Sequence, residues 1–95
     1  MTIPDFQTIM LPLLRHIADG KEHSIKEITE AMADYFQLTE EERSQLLPSG
    51  KQKIFTNRVA WSKADLKMAG LVDSPRRGIS VITERASASL AKILK

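Results

Sequence analysis

Along residues 6–17 the apolar side chains Phe6, Ile9, Met10, Leu13, Leu14 and Ile17 recur every three or four positions, the spacing that lines one face of an α-helix. Pro4 suits a first helical turn. Pro12 has no amide hydrogen and clashes with the carbonyl one turn back, so a kink or a fresh helix start is expected there. Asp19-Gly20 ends the pattern. A short extended piece around Glu22–His23 follows. Ser24 and Glu27 then have the spacing of a capping box, in which each side chain satisfies an orphaned amide at a helix start. The helix so opened turns Ile25, Ile28, Ala31, Met32, Tyr35 and Phe36 inward. A second box, Thr39 with Glu42, opens a short helix that Pro48-Ser49-Gly50 terminates. Glu40, Glu41 and Glu42 favour that helix start through the backbone dipole and need no functional explanation.

The longest helical pattern runs from about Lys51 to Ala69, with Gly70 placed for a left-handed C-cap. Leu71-Val72-Asp73 reads as a strand, Ser74-Pro75-Arg76-Arg77-Gly78 as a turn and Ile79-Ser80-Val81-Ile82 as the returning strand. Thr83 is the expected N-cap of a last helix through Leu94, with Ala86, Leu90 and Ile93 or Leu94 facing inward. The order is helix, short strand, helix, short helix, long helix, β-hairpin, helix. That order predicts an α+β, mainly helical fold, a winged helix-turn-helix whose wing spans 71–82 and is followed by a final helix. Residues 1–95 are expected to form one domain, since the chain holds no repeat, linker or low-complexity tract.

On a wheel of 100° per residue, Phe55, Val59, Ser62, Leu66 and Ala69 make one arc of the long helix, the expected core stripe. Ile54, Trp61, Ala64 and Met68 make a second apolar arc, and Trp61 is expected in the core because an exposed indole among apolar neighbours is costly. Gln52, Thr56, Lys63 and Lys67 fill the remaining side, with Lys53 at its edge and Ala60 in its middle. Lysines there suit phosphate, Gln or Thr a base edge, and Ala60 close approach. Water is the bland alternative partner for such a face. Two arginines at the hairpin tip, Arg76 and Arg77, are what a wing needs to grip phosphates, although charged tips also occur simply because they are soluble. Asn57 is placed with the DNA-facing set. Arg58 lies beside the core arc, where a structural ion pair or stacking role ranks ahead of phosphate contact.

Charge sharpens this picture. Residues 1–50 hold four Lys/Arg against nine Asp/Glu, whereas residues 51–85 hold eight against three. Such a split suggests a two-faced molecule with one side that seeks a polyanion. The absence of cysteine excludes disulfides and cysteine-ligated metal sites. The start lacks the basic segment of a signal peptide, and no apolar run approaches the roughly 20 residues of a membrane span, so a cytoplasmic module is expected. His16 and His23 lie seven apart on different elements with no metal-ligand spacing, and a surface role is expected of both. Ser-Gly-Lys at 49–51 lacks the upstream glycine and strand of a P-loop. No serine has a His/Asp relay in its pattern. Neither a catalytic site, a metal site nor a cofactor is expected in this chain.

Taken in order, "MLPLLRHIADGKEHSIKEI" and "LTEEERSQLLPSGKQKIFTNRVAWSKADLKMAGLVDSPRRGISVITER" resemble the N-terminal domain of Mrr-type restriction endonucleases. Most specific are the "LLPSG" to "NRVAW" segment and "AGL" followed by a basic turn and "ITER"; the family usually carries Gly where this chain has Ala86. The resemblance implies a winged-helix DNA-binding domain preceding a separate PD-(D/E)-x-K nuclease domain that cleaves methylated DNA. Magnesium would belong to that nuclease domain, none of whose motifs occurs here. The expected DNA-facing residues are Gln52, Lys53, Thr56, Asn57, Lys63, Lys67, Arg76 and Arg77, and the expected partner is double-stranded DNA, methylated duplex included. The alternative is a dimerisation or protein-interaction module, suggested by the apolar faces of the first and last helices.

Overall fold

A computed structural model of the chain describes residues 3–93, with side chains described for residues 3–88. Five helices and a three-stranded antiparallel sheet follow in the order α1 (Phe6–His16), β1 (His23–Ser24), α2 (Ile25–Tyr35), α3 (Glu40–Ser44), α4 (Ile54–Met68), β2 (Val72–Asp73), β3 (Ile79–Ile82) and α5 (Glu84–Ile93). The fold is α+β and mostly helical, as the apolar spacing predicts.

Local chemistry sets most of the boundaries. Asp5 caps α1 by accepting from the Thr8 amide at 2.8 Å, which leaves Pro4 outside the helix rather than in its first turn. Pro12 sits inside one continuous helix, not at a fresh start. The hydrogen bond it forfeits would have gone to the Thr8 carbonyl, on an exposed residue, where solvent meets the need. The Thr39–Glu42 capping box is complete in both directions. α3 nevertheless ends at Ser44, ahead of Pro48. The chain then folds back on itself through Leu47 N–H to the Gln52 carbonyl and Ile54 N–H to the Gln45 carbonyl, both 2.9 Å. This turn delays α4 until Ile54, so Gln52 and Lys53 precede the helix that the sequence pattern starts at Lys51. At the other end, Gly70 (φ +79°) permits the left-handed turn. The Gly70 amide reaches Lys67 and the Leu71 amide reaches Leu66, the paired bonds of a Schellman cap.

The core lies where α1, α2 and α4 meet. Ile9, Leu13, Ile17, Ile28, Phe55 and Val59 are at most 1% exposed. α1 is pinned to α4 by two polar residues of α4. The buried Ser62 hydroxyl lies 2.6 Å from the Phe6 carbonyl, and Arg58 donates to the carbonyls of Ile3 at 2.7 Å and Pro4 at 3.3 Å. Arg58 thus has the structural role expected of it, although its partners are carbonyls rather than an acid. Tyr35, expected to be inward, is 59% exposed and packs edge-on against Phe36.

β3 is the central strand. It pairs with β1 through His23–Ser80 and Ser24–Ile79, and with β2 through Val72–Ile82 and Asp73–Val81. The end of the hairpin turn is tied to α2: the Ile25 amide donates to the Gly78 carbonyl at 2.8 Å. Thr83 caps α5, its hydroxyl accepting from the Ala86 amide at 3.2 Å and donating to the Gly70 carbonyl at 2.8 Å. Ala86 is fully buried; Leu90, Ile93 and Leu94, also expected to face inward, have side chains outside the described residues. No helix among the described residues is long and apolar enough to cross a membrane.

Candidate nucleic-acid interface

α4 presents three different faces. Phe55, Val59, Ser62 and Leu66 are buried, which is the expected core stripe without Ala69, exposed at the helix end. The second apolar arc is not covered. Trp61 is 60% exposed and Met68 87%, so the core placement expected for Trp61 is corrected. The reason is geometric: α1 takes the Arg58–Ser62 side, and α2 closes over the stripe beside it. The third face carries Thr56, Ala60, Lys63 and Lys67, spaced four, three and four residues apart, which keeps them within about 60° of one another. Thr56 and Lys63 are half-buried flank positions, while Lys67 is exposed.

The other expected contacts sort around this stripe. Lys53 is the N-cap residue of α4 and makes no side-chain capping bond. Gln52, on the preceding turn, accepts from the Asn57 side-chain amide at 3.1 Å. Asn57 sits about 100° round from Thr56, toward the Trp61 arc, and does not join the lysine stripe.

A groove between α2 and the start of α4 is lined by Ile25, Lys26, Thr29, Glu30, Lys53 and Thr56. It links the stripe to the hairpin, because Ile25 is the residue bonded to Gly78. Lys26 enters the surface this way. The sequence pattern offered no sign of it, since Lys26 lies in the acidic half of the chain. Glu30 lines the same groove, and its carboxylate bounds any path for phosphate there.

At the hairpin tip the two arginines differ. Arg76 is paired with Glu22, with both side chains exposed. Arg77 is exposed, and no ion pair among the described residues involves Lys53, Lys63, Lys67 or Arg77. The acidic half is different: Asp34 pairs with Arg43 at 2.9 Å, and Arg43 also donates to the Leu38 carbonyl.

The two histidines meet, contrary to the expectation from their spacing. Gly20 (φ +80°) lets the chain reverse after α1, so that the His16 and His23 ring centres lie 5.1 Å apart. Glu27 stands between them, 2.5 Å from His16 Nε2 and 2.5 Å from His23 Nδ1. His23 Nε2 faces Asp19 at 2.9 Å. Burial pulls the His23 pKa down, but the hydrogen bonds to Glu27 and Asp19 outweigh it and hold the imidazole above its ordinary value. Burial pushes Glu27 up, and the bonds from His23 and His16 outweigh that too, leaving the carboxyl below its ordinary range. Only half of the Ser24–Glu27 box forms: the Glu27 amide donates to the Ser24 hydroxyl at 3.1 Å, while the Glu27 carboxylate turns to the histidines. The one sequence sign of this cluster was the four-residue step from His23 to Glu27.

The Mrr N-terminal domain family matches residues 6–92. The type IV methyl-directed restriction enzyme EcoKMrr of Escherichia coli strain K12 is 35% identical over 79 residues, which cover 82% of this chain and 26% of that enzyme. The chain therefore spans about a quarter of that relative's length. No solved structure matches. With residues 6–92 matched, from the first helix to within three residues of its end, the chain belongs to the Mrr N-terminal domain family.

Proposed function

We propose that this domain binds double-stranded DNA as a winged helix, with α4 entering the major groove and the β2–β3 hairpin following the phosphate backbone. The observation that carries this reading is the partnering of charge. Lys53, Lys63, Lys67 and Arg77 have no carboxylate partner among the described residues; Lys53 and Thr56 border the groove lined by Lys26 and Ile25, and Ile25 is bonded to Gly78 of the hairpin. Unpaired cations of this kind are the positioning contacts of a protein–DNA complex. The helix order and the β1–β3–β2 strand order support the winged-helix assignment. The family and the restriction-enzyme relative supply the DNA context.

In this reading Lys63 and Lys67 take phosphates and Thr56 reaches a base edge beside Ala60. Gln52 and Lys53 act from the turn before the helix, and Arg77 grips the backbone. Asn57 acts by holding Gln52. Cleavage belongs to a separate nuclease domain with its magnesium, and methylated duplex is the natural target of the full enzyme. The test is a titration of the chain with methylated and unmethylated duplexes at two salt concentrations. Affinity should fall steeply with salt, with a logarithmic slope near −0.9 per phosphate contact. Binding that ignores salt would defeat the proposal.

A second reading rests on the uncovered arc of α4, where Trp61 and Met68 are exposed together. Self-association through this face would bury both. A mass that rises with concentration in the wild type and stays monomeric in Trp61→Glu would favour it.

A further inference from the structure

We propose that His16, His23 and Glu27 form a binding site for a divalent transition-metal ion, zinc foremost, which ties together the end of α1, β1 and the first turn of α2.

The proton count around His23 is the first observation. A neutral imidazole offers one N–H and one lone pair, whereas an ionised carboxylate only accepts. Both nitrogens of His23 nevertheless face carboxylate oxygens, Nδ1 toward Glu27 at 2.5 Å and Nε2 toward Asp19 at 2.9 Å. A neutral ring would leave one lone pair against another, so either a second ring proton or a metal ion has to stand at one of these contacts. A metal ion at Nδ1 meets this requirement. Nε2–H then donates to Asp19, the outer carboxylate that commonly orients a metal-bound histidine. Asp19 is itself held by the Lys21 amide at 2.9 Å.

The second observation is the convergence of donors. His16 Nε2, His23 Nδ1 and a Glu27 oxygen lie within 4.8 Å of one another, although they come from three successive elements. Zinc ligands at about 2.0–2.1 Å in a tetrahedron stand roughly 3.3 Å apart. The histidines now meet different oxygens of the Glu27 carboxylate, His16 Nε2 on Oε2 and His23 Nδ1 on Oε1, each at 2.5 Å, so an ion held by both rings would sit where the carboxylate now stands between them. Two imidazoles and one carboxylate form a borderline donor set that suits zinc, cobalt or nickel better than magnesium or calcium.

Access and the fourth position complete the case. His23 is largely buried at 11% side-chain exposure, while His16 and Glu27 keep 30% and 45%, so an ion can enter from solvent and keep a water. Ser80 lies directly across the sheet from His23, on the same face. Its hydroxyl is buried with no hydrogen-bond partner among the described residues, so the fourth position is left to a solvent water on the exposed His16–Glu27 side.

The test uses the chain prepared without a histidine tag and stripped with EDTA, then titrated with Zn²⁺ and with Co²⁺. Zinc at a hundredfold excess over Kd should raise Tm by about 10 °C. Co²⁺ should give the visible absorption of a tetrahedral ion. His16→Gln and Glu27→Gln, both at partly exposed positions, should stay folded and weaken binding at least tenfold. The proposal is overturned by an unchanged Tm with no cobalt absorption, which would leave the cluster a proton-only network. It is equally overturned by an equal Tm rise with Mg²⁺, or by zinc binding that survives in the His16→Gln/His23→Gln double variant.

Discussion

The acidic and the basic halves of this small domain handle their charges in opposite ways. From Asp19 to Arg43, five of the eight carboxylates are committed to partners, with Glu30, Glu40 and Glu41 the exceptions. Glu42 closes a capping box, Asp34 holds Arg43, Glu27 and Asp19 hold His23, and Glu22 reaches across to Arg76. From Lys53 to Arg77 the cations are left without acids, Arg76 and the carbonyl-bound Arg58 aside. A charge already partnered contributes to the fold, while one without a partner remains available to a polyanion. The asymmetry that matters is therefore in partnering, and net charge reports it only indirectly.

The largest expected effect comes from breaking the basic side. Lys63→Ala with Lys67→Ala removes the two phosphate contacts proposed for the α4 stripe. The logarithmic salt slope should fall by about 1.8, and affinity at 0.1 M salt by roughly a hundredfold. Fluorescence anisotropy with a labelled duplex at several salt concentrations measures both. A slope that does not change would remove these lysines from the interface.

Arg58 tests the reverse case, a cation from the basic half that is spent on structure. Arg58→Met strips the donors from the Ile3 and Pro4 carbonyls and should cost about 1–3 kcal/mol of stability, read from chemical denaturation. The salt slope of DNA binding should stay where it was. A fall in slope with unaltered stability would move Arg58 to the DNA-facing group.

How much of this was legible in the sequence follows from how local each cause is. The Thr39–Glu42 box, the Gly70 cap and the Phe55–Val59–Ser62–Leu66 stripe each depend on residues within a turn or on helical periodicity, and all three are readable from spacing. The start of α4 was misplaced because a turn stabilised by Gln45–Ile54 and Leu47–Gln52 bonds looks helical in composition. Trp61 was misplaced because a wheel shows two apolar arcs without saying which one a neighbour covers. The His16–His23–Glu27 cluster was invisible for a similar reason. It exists because Gly20 reverses the chain and β1 docks on β3, neither of which leaves a mark at the histidines themselves. The α4 stripe was assembled from spacing alone, yet Lys26 and the Glu22 pairing of Arg76 required the tertiary fold.

That pairing gives a smaller and oppositely signed test. Glu22→Gln should release Arg76 and raise duplex affinity about two- to fivefold at low salt, in keeping with the roughly 0–1 kcal/mol of an exposed ion pair. The gain should shrink as salt screens it. If affinity falls instead, Glu22 is positioning Arg76 for phosphate rather than competing with it, and the two halves are less separate than their charges suggest.

The smallest effect belongs to the acidic half and concerns pH, measured on EDTA-treated protein so that only protons act. The groups facing one another are His16 from α1, Asp19 from the following turn, His23 from β1 and Glu27 from α2. The His23 pKa is raised on folding, so its contribution is complete below the ordinary histidine value of about 6.5 and fades as pH climbs through the folded value. The Glu27 pKa is lowered, so its contribution is complete above the ordinary carboxyl value of about 4.3 and is lost as pH falls through the folded one. The cluster should therefore stabilise the fold most between about pH 4.5 and 6.5. Comparing Tm against pH for the wild type and Glu27→Gln isolates this window, because the variant keeps the shape and loses the charge. A difference between the two that is flat across the window would mean that His23 is neutral in the folded chain.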